Sequence, residues 1–508
     1  MFRGIRTVGA WTMASRVLGF LRDMLFAAYL GTGTVADAFF VAQKLPNLFR
    51  RLFGEGAFNA AFVPDFMKIL TKEGKEEAHR FAEEAFAVLG FWLLIVTVVG
   101  EIFMPEIVRG VLAPGFGPAK LVLATTLARI AFPYLLFICL AALLSGVLNG
   151  LDKFWEAAAA PVLYNIISIC FMLGLTRFVP TVGHAFAWGI SAAGVAQMGL
   201  LMWAVKKAGM AIHMPRPRLS PKVKQLMRDM VPGLMSAGAT QVNQLVDVIV
   251  SSFLPAGTVS LLYYANQLNQ LPLAVIGTAV GTALLPLLSR QVHEGEDERA
   301  AHTMNRALEY ALLLTMPAAF ALLSAGVPIV TVLFGHGRFD HASAVKTAEC
   351  LACYSVGLPS FVLIKVLQPG FYARGDRATP MKIAIGSVLF NLAMNLAFMV
   401  PLQYMGPALA SGIAGIANAS AMGIVLYRRG LIKPDARLRA QVPKIFVAGL
   451  LMALVLWFGR DVLFTPFNHR GWERWFGLMV LVGTGGVVYF GAVFGMGGLK
   501  LPAKVSAG

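Results

Sequence analysis

The chain has 508 residues, 57% of them hydrophobic and 14% charged, with a formal net charge of +17 and a mean hydropathy of +0.70. That composition excludes a soluble protein and describes a polytopic membrane protein. The positive charge does not imply nucleic acid, because the bases sit between apolar stretches, where they act as topology signals.

In chain order, the apolar pattern predicts an all-α fold of about fourteen spans. They lie at about 8–30, 35–68, 80–112, 120–150, 156–180, 183–207, 222–254, 258–290, 300–335, 343–373, 379–401, 406–429, 441–462 and 473–497. The first two spans carry Arg16, Arg22, Asp23, Asp37, Lys44, Arg50, Arg51 and Glu55. Each Arg, Lys or Asp near a helix centre costs roughly 2.5–3.5 kcal/mol on membrane insertion. Plain anchor helices would not carry that penalty. The same charges interrupt any cleavable leader, so the first helix is expected to remain.

At helical spacing, Ser15, Arg16, Gly19, Arg22 and Asp23 fall within about 120° of one face. On the second span, Asp37, Lys44, Asn47, Arg51 and Glu55 fall within about 80°. Arg50 falls outside that arc, and Pro46 is expected to kink the segment and blur the phase beyond it. The plainer reading is a set of interhelical ion pairs, with Arg50 and Arg51 reaching an interface. A hydrated cavity lined by cations explains more, and guanidinium forks suit an anionic substrate bearing phosphate.

Loop charge sets the orientation. The stretches KKAGMAIHMPRPRLSPKVKQLMR and YRRGLIKPDARLRAQVPK are strongly basic, whereas GTGT, PAGT and QYMG on the opposite side are not. Both termini are therefore expected in the cytoplasm.

An internal duplication appears at an offset of about 225 residues. LGTGTVADAFF parallels LPAGTVSLLYY, and GLDKFWEAAAAPVLYN parallels ARGDRATPMKIAIGSVLFN, pairing Asp152 with Asp376 and Asn165 with Asn391. Six spans per copy is an even number, so the two lobes are parallel repeats. The expected divisions are an N-terminal lobe at 1–207, a basic cytoplasmic linker at 208–221 and a C-terminal lobe at 222–430. The last two spans and a cytoplasmic tail occupy 431–508.

A second polar cluster comprises Asp247, Asn391, Asn395 and Ser411. A carboxylate with amide and hydroxyl oxygens is a candidate Na⁺ site. Interhelical hydrogen bonding is the plainer account, and proton carriage by Asp247 is a third. Cys139, Cys170, Cys350 and Cys353 lie in apolar segments and read as packing residues. The eight histidines have no convincing metal-ligand spacing, and no Walker A lysine motif occurs. No enzymatic chemistry and no bound cofactor are expected; Na⁺ or H⁺ coupling and the membrane potential are the candidate energy sources.

The runs SRVLGFLRD, TVADAFFVAQKLPNLFRRLFGEGAFNAAFVPDF, YYANQLNQLPLAVIGTAVGTALLPLLS, KVLQPGFYARGDRATPMKIA and NLAMNLAF resemble the MurJ (MviN) family of bacterial lipid II flippases. That family shares a superfamily with multidrug and oligosaccharide-lipid exporters. The resemblance spans essentially the whole chain. It implies an alternating-access flippase of the bacterial inner membrane, acting in cell-wall synthesis on the lipid-linked peptidoglycan precursor. Membrane lipids would be neighbours, cell-wall synthesis proteins are candidate partners, and a monomer is expected. It also implies that Gln267 stands where much of the family carries Arg, so the cation cluster of the first lobe must bear most of the substrate's charge. Asn395 stands where some members carry Asp at a Na⁺ site. The last two spans, with Phe446, Trp457 and Phe458, would line a groove for the lipid tail. The alternatives are an exporter of another lipid-linked glycan, a drug/ion antiporter of the same superfamily, and a non-transport scaffold for cell-wall enzymes.

Overall fold

The structure, a computed structural model, describes residues 2–54, 57–465 and 471–497. Every regular element among them is helical. Glu55 lies outside the described residues. The chain forms two compact units, Met1–Ser260 and Leu261–Gly508.

The first unit opens with α1 (Phe2–Leu30), α2 (Thr34–Ala42) and α3 (Lys44–Phe49), then a π-helical turn at Arg50–Gly54 and α4 (Ala57–Lys72). The second predicted span is therefore four short pieces, not one bent helix. Pro46 has no N–H to give to the carbonyl of Ala42, where α2 ends. The wide turn that follows rotates Arg50 and Arg51 relative to the ideal helical phase. Next come α5 (Lys75–Ile102), α6 (Met104–Ile107) with a π turn at Val108–Leu112, α7 (Pro118–Ala131), α8 (Tyr134–Gly150), α9 (Phe154–Leu175), α10 (Val182–Lys207) and α11 (Pro221–Ser252).

Helix α8 is the centre of this unit, packing on α4, α5, α9 and α10. Its Leu135, Leu143, Leu144 and Val147 have no exposed surface. Phe58, Phe62 and Phe66 lie one turn apart on α4, stacked with ring centroids 5.4 and 5.6 Å apart. Phe66 lies over Gly150 of α8, where a Cβ would come within 2.6 Å of its ring.

The long helix α12 (Thr258–His293) begins in the first unit and continues into the second. The second unit adds α13 (Asp297–Ser324), α14 (Gly326–Phe334), α15 (His341–Tyr372), α16 (Ala378–Phe398), α17 (Gly406–Arg428), α18 (Ala436–Gly459) and α19 (Trp472–Gly495). Helix α15 packs on α13, α14, α16 and α17. It meets α17 backbone to backbone, since a Cβ on Gly357 would lie 2.5 Å from the Cα of Gly412. The hairpin α18–α19 sits on α13: the Tyr489 hydroxyl donates to the carbonyl of Leu313 at 2.8 Å. Buried Glu309 accepts from Arg437 at 2.9 Å and from Arg306.

The duplication recurs in backbone conformation. Helices α10 and α17 both end on a left-handed glycine, Gly209 (φ 77°) and Gly430 (φ 72°). Each is followed by a bond back across the last turn, Met210 to Val205 and Leu431 to Leu426. The turn after α8 has its left-handed residue at Asp152 (φ 59°), and the turn after α15 has it at Gly375 (φ 75°). The conformational register thus pairs Asp152 with Gly375, one residue short of the Asp152–Asp376 pairing read from residue identity. The 207/222 boundary reflects this sequence duplication, whereas the boundary at Ser260 reflects packing.

Ten segments among the described residues are long and apolar enough to cross a bilayer. The expected spans outside that set are α1, α2–α4, α11 and α12. Length does not exclude α1, α11 and α12, at 29, 32 and 36 residues. In α1 and α11 charges and amides lower the hydropathy, so these two weakly apolar segments carry part of the candidate site.

Candidate functional site

On α1, Arg22 is held from several sides. Its Nη2 donates to Asp23 Oδ1 at 3.0 Å and its Nη1 to Asn165 Oδ1 at 3.1 Å. Asn165, on α9, donates from Nδ2 to the carbonyls of Ser15 at 3.0 Å and Pro161 at 3.1 Å. Gly19 lies beside this amide, where a Cβ would sit at an ordinary contact distance of 3.6 Å from its nitrogen. The guanidinium also lies over the Phe26 and Tyr164 rings, at 5.2 and 5.4 Å. A planar cation so bounded keeps one orientation. Arg16, a turn and a half earlier, is exposed.

The π turn presents Arg51 to α11. Its Nη1 donates to Gln244 Oε1 at 3.1 Å and Gln241 Oε1 at 3.4 Å. Lys44 lies within Coulombic reach of Arg51 and Asp247. Lys44, Asn47, Arg50 and Arg51 are all partly exposed, as is Asp247. The structure therefore gathers Lys44, Arg51, Gln241, Gln244 and Asp247 where α3, the π turn and α11 meet.

Asp37 does different work. It is buried. Its Oδ2 accepts from Lys120 Nζ at 2.6 Å and from the Gly257 amide at 2.7 Å. Its Oδ1 accepts from the Ser260 amide at 2.8 Å and the Ser260 hydroxyl at 2.9 Å. Gly257 and Ser260 flank the N-terminus of α12, whose unpaired amides favour a carboxylate. Nearby, the Gly115 amide donates to Ser252 Oγ at 3.0 Å. These bonds clasp the α1–α2 turn, the approach to α7 and the α11–α12 turn together.

The candidate ion ligands fall in both units: Asp247 in the first, and Asn391, Asn395 and Ser411 in the second. Asn391 and Asn395 have no exposed surface, and Asn395 Nδ2 donates to Asn391 Oδ1 at 3.2 Å. Ser411 is buried on α17, which packs on α16. Gln267 is partly exposed on α12. No group of three or more His, Cys, Asp or Glu fit to hold a metal occurs among the described residues. Phe446, Trp457 and Phe458 are 50%, 50% and 71% exposed on α18.

Reading the sequence alone missed Lys120, Asn165 as a partner of Arg22, and the Gln241–Gln244 pair. The glutamines carried a signal: Gln241, Gln244 and Asp247 recur every three residues, on one face of α11. Lys120 carried none, because its partner is 83 positions away.

A solved structure described as lipid II flippase MurJ in an inward closed conformation matches this chain with a TM-score of 0.79 at 25% identity, covering 96% of this chain and 97% of that one. An inward-facing multidrug-resistance MATE transporter of the MOP superfamily matches with a TM-score of 0.70 at 15% identity, covering 84% and 97%. The fold is thus that of multi-pass membrane transporters of this architecture. The family described as "Lipid II flippase MurJ" matches residues 26–469. The probable lipid II flippase MurJ of Rhizobium meliloti (strain 1021) is 43% identical over 503 residues, covering 97% of this chain and 94% of the relative. The lipid II flippase MurJ of Burkholderia cenocepacia is 32% identical over 503 residues, covering 98% of each. The chain belongs to the MurJ lipid II flippase family.

Proposed function

We propose that the protein carries lipid II from the cytoplasmic to the outer leaflet of the bacterial inner membrane by alternating access of its two six-helix lobes. The observation that carries this reading is a cation excess on otherwise apolar helices. In the sequence, Arg16, Arg22, Lys44, Arg50 and Arg51 outnumber Asp23, Glu55 and Asp247, while the charge of Asp37 goes to Lys120. A pyrophosphate supplies the missing negative charge, and oriented guanidinium forks can hold its oxygens bidentately. Asn165, Gln241 and Gln244 fix the forks without adding charge of their own. Ser15, Asn47 and Gln267 supply neutral hydrogen bonds. The polyprenyl tail stays in lipid beside α18 and α19.

The Asp37 clasp supports the cycle. Loop charge assigns the α1–α2 and α11–α12 turns to the outer side, with both termini in the cytoplasm. A clasp there shuts the outer end while the headgroup enters from the cytoplasm. Asp247, Asn391, Asn395 and Ser411 are the residues proposed for Na⁺ or H⁺ coupling. The membrane potential, worth about 2.3 kcal/mol per charge per 100 mV, helps reset a cationic cavity. The protein works as a monomer, with cell-wall synthesis proteins as its partners.

The test is binding of a water-soluble lipid II analogue to the purified protein. Arg22→Ala and Arg51→Ala should each weaken binding by about ten- to a hundredfold, the loss of one charge-assisted hydrogen-bond set of roughly 1.5–3 kcal/mol. Unchanged binding in both would overturn the cationic site.

A further inference from the structure

The segment between α10 and α11 is basic, extended and pinned to α5. The His213 amide donates to Glu83 Oε1 at 2.8 Å, with the His213 ring nitrogen 3.1 Å from the same oxygen. His79 Nε2 lies 2.9 Å from the Ala211 carbonyl oxygen. Met210 is fully buried, and at the other end Lys222 pairs with Glu73 at 2.5 Å. The carboxylates that touch this strap are thereby used at its ends.

Between the two anchors the strap faces outward. Residues 213–219 are all exposed, with Met214 and Leu219 each 62% exposed. Arg216, Arg218 and Lys224 are exposed and have no carboxylate partner among the described residues. The strap starts where α10, a helix long and apolar enough to cross a bilayer, ends. Lys207 Nζ sits 5.0 Å from the Trp203 ring centroid on the last turn of α10, an aromatic–cation pair of the kind that marks the headgroup level. At its far end α11 re-enters apolar sequence. Exposed apolar side chains alternating with cations, held along an interface, form a surface for an anionic bilayer.

We propose that Met214, Arg216, Arg218, Leu219 and Lys224 form a docking strip for anionic phospholipid headgroups of the cytoplasmic leaflet. Arg216, Arg218 and Lys224 take the phosphates and Leu219 enters the acyl boundary, while Met214, whose methyl lies against Gly90 of α5, holds the strip to that helix. Glu83 and His79 hold the strip at that depth. This rests on the cytoplasmic orientation of the strap, but not on what the protein transports.

The test uses the full chain in nanodiscs of phosphatidylcholine alone or with about one-third phosphatidylglycerol. A nitroxide is placed at Pro217→Cys, with Cys170 and Cys353, the two native thiols that are not buried, replaced by Ser. Power-saturation depth measurements read its position. The strip should lie deeper with phosphatidylglycerol, return toward water in about 1 M salt, and show no lipid difference in R216A/R218A. Partition of the strip should fall about thirtyfold in that variant, about fivefold for each base near an anionic surface. Equal depth in the two lipids overturns the proposal, as does a lipid effect that survives R216A/R218A. A shift driven by a soluble acidic polypeptide and not by lipid also overturns it. Transport is not read, so the outcome is independent of the flippase reading.

Discussion

Asp37 and Lys120 meet at 2.6 Å, with side-chain exposures of 1% and 13%, and the same carboxylate caps the start of α12. Removing one member of a buried pair strands the other charge, which costs about 3–5 kcal/mol. Asp37→Ala and Lys120→Ala should each lower the unfolding midpoint markedly. The double variant should lose less than the sum, because neither charge is then left alone. Additive losses in thermal unfolding of the purified protein would show that the pair is not coupled.

The clasp should also control access from the outer side. Ser260→Cys should be alkylated slowly by an impermeant thiol reagent in the otherwise wild-type chain and much faster in Asp37→Asn. Equal rates would mean that these bonds do not close that end.

How much of this was legible in the sequence depends on how local the cause is. The charged stripe of α1 needs only helical spacing, and Arg22 and Asp23 do sit together on it. The second stripe keeps phase only as far as Pro46; beyond it, the π turn at Arg50–Gly54 resets the direction of Arg51, and no periodicity anticipates that. Asp37 reads as a stripe member, because sequence shows its helix face but not Lys120 on α7. The duplication was visible in residue identity, yet backbone conformation shifts one pairing to Asp152 and Gly375. An αL position tolerates Asp or Gly alike, so identity is a poor guide there.

Arg22 depends on Asn165 for its orientation. Asn165→Ala should weaken lipid II analogue binding about tenfold through the lost hydrogen bond, while Asn165→Asp should weaken it further by neutralising the cation. Arg22→Lys should fail to restore binding, since a point charge cannot reproduce the fork. Gln267 supplies no charge, so Gln267→Ala should cost less than any of the Arg→Ala changes at 16, 22, 50 or 51. Gln267→Arg should be tolerated. Greater sensitivity at Gln267 than at the arginines would move the binding site away from the first unit.

Asp376 gives a pH prediction outside the membrane. Arg429 donates to its carboxylate at 2.6 Å, and the Thr379 hydroxyl and amide add to it, holding the carboxyl well below the ordinary range. A depressed folded pKa stabilises the folded state above the unfolded value of about 3.9, and that contribution disappears as pH falls through the folded value. The stability gap between wild type and Asp376→Asn should be constant above about pH 5 and shrink below about pH 4. Both partners are partly exposed, so the gap should be small. A gap that widens on acidification would reverse the sign and refute the assignment.

Asp247 tests the coupling site. Asp247→Asn should abolish the Na⁺ or pH dependence of transport while leaving membrane levels unchanged. If wild-type transport depends on neither ion, Asp247, Asn391, Asn395 and Ser411 are structural hydrogen-bonding groups.

The most direct measurement is transbilayer movement of a labelled lipid II analogue in liposomes holding the purified chain. Wild type should accelerate movement well above protein-free liposomes. Arg16→Ala, Arg22→Ala, Arg50→Ala and Arg51→Ala should each lower the rate by about ten- to a hundredfold at equal protein incorporation. Full-rate movement in all four variants, or none in wild type, would contradict the cationic-cavity flippase.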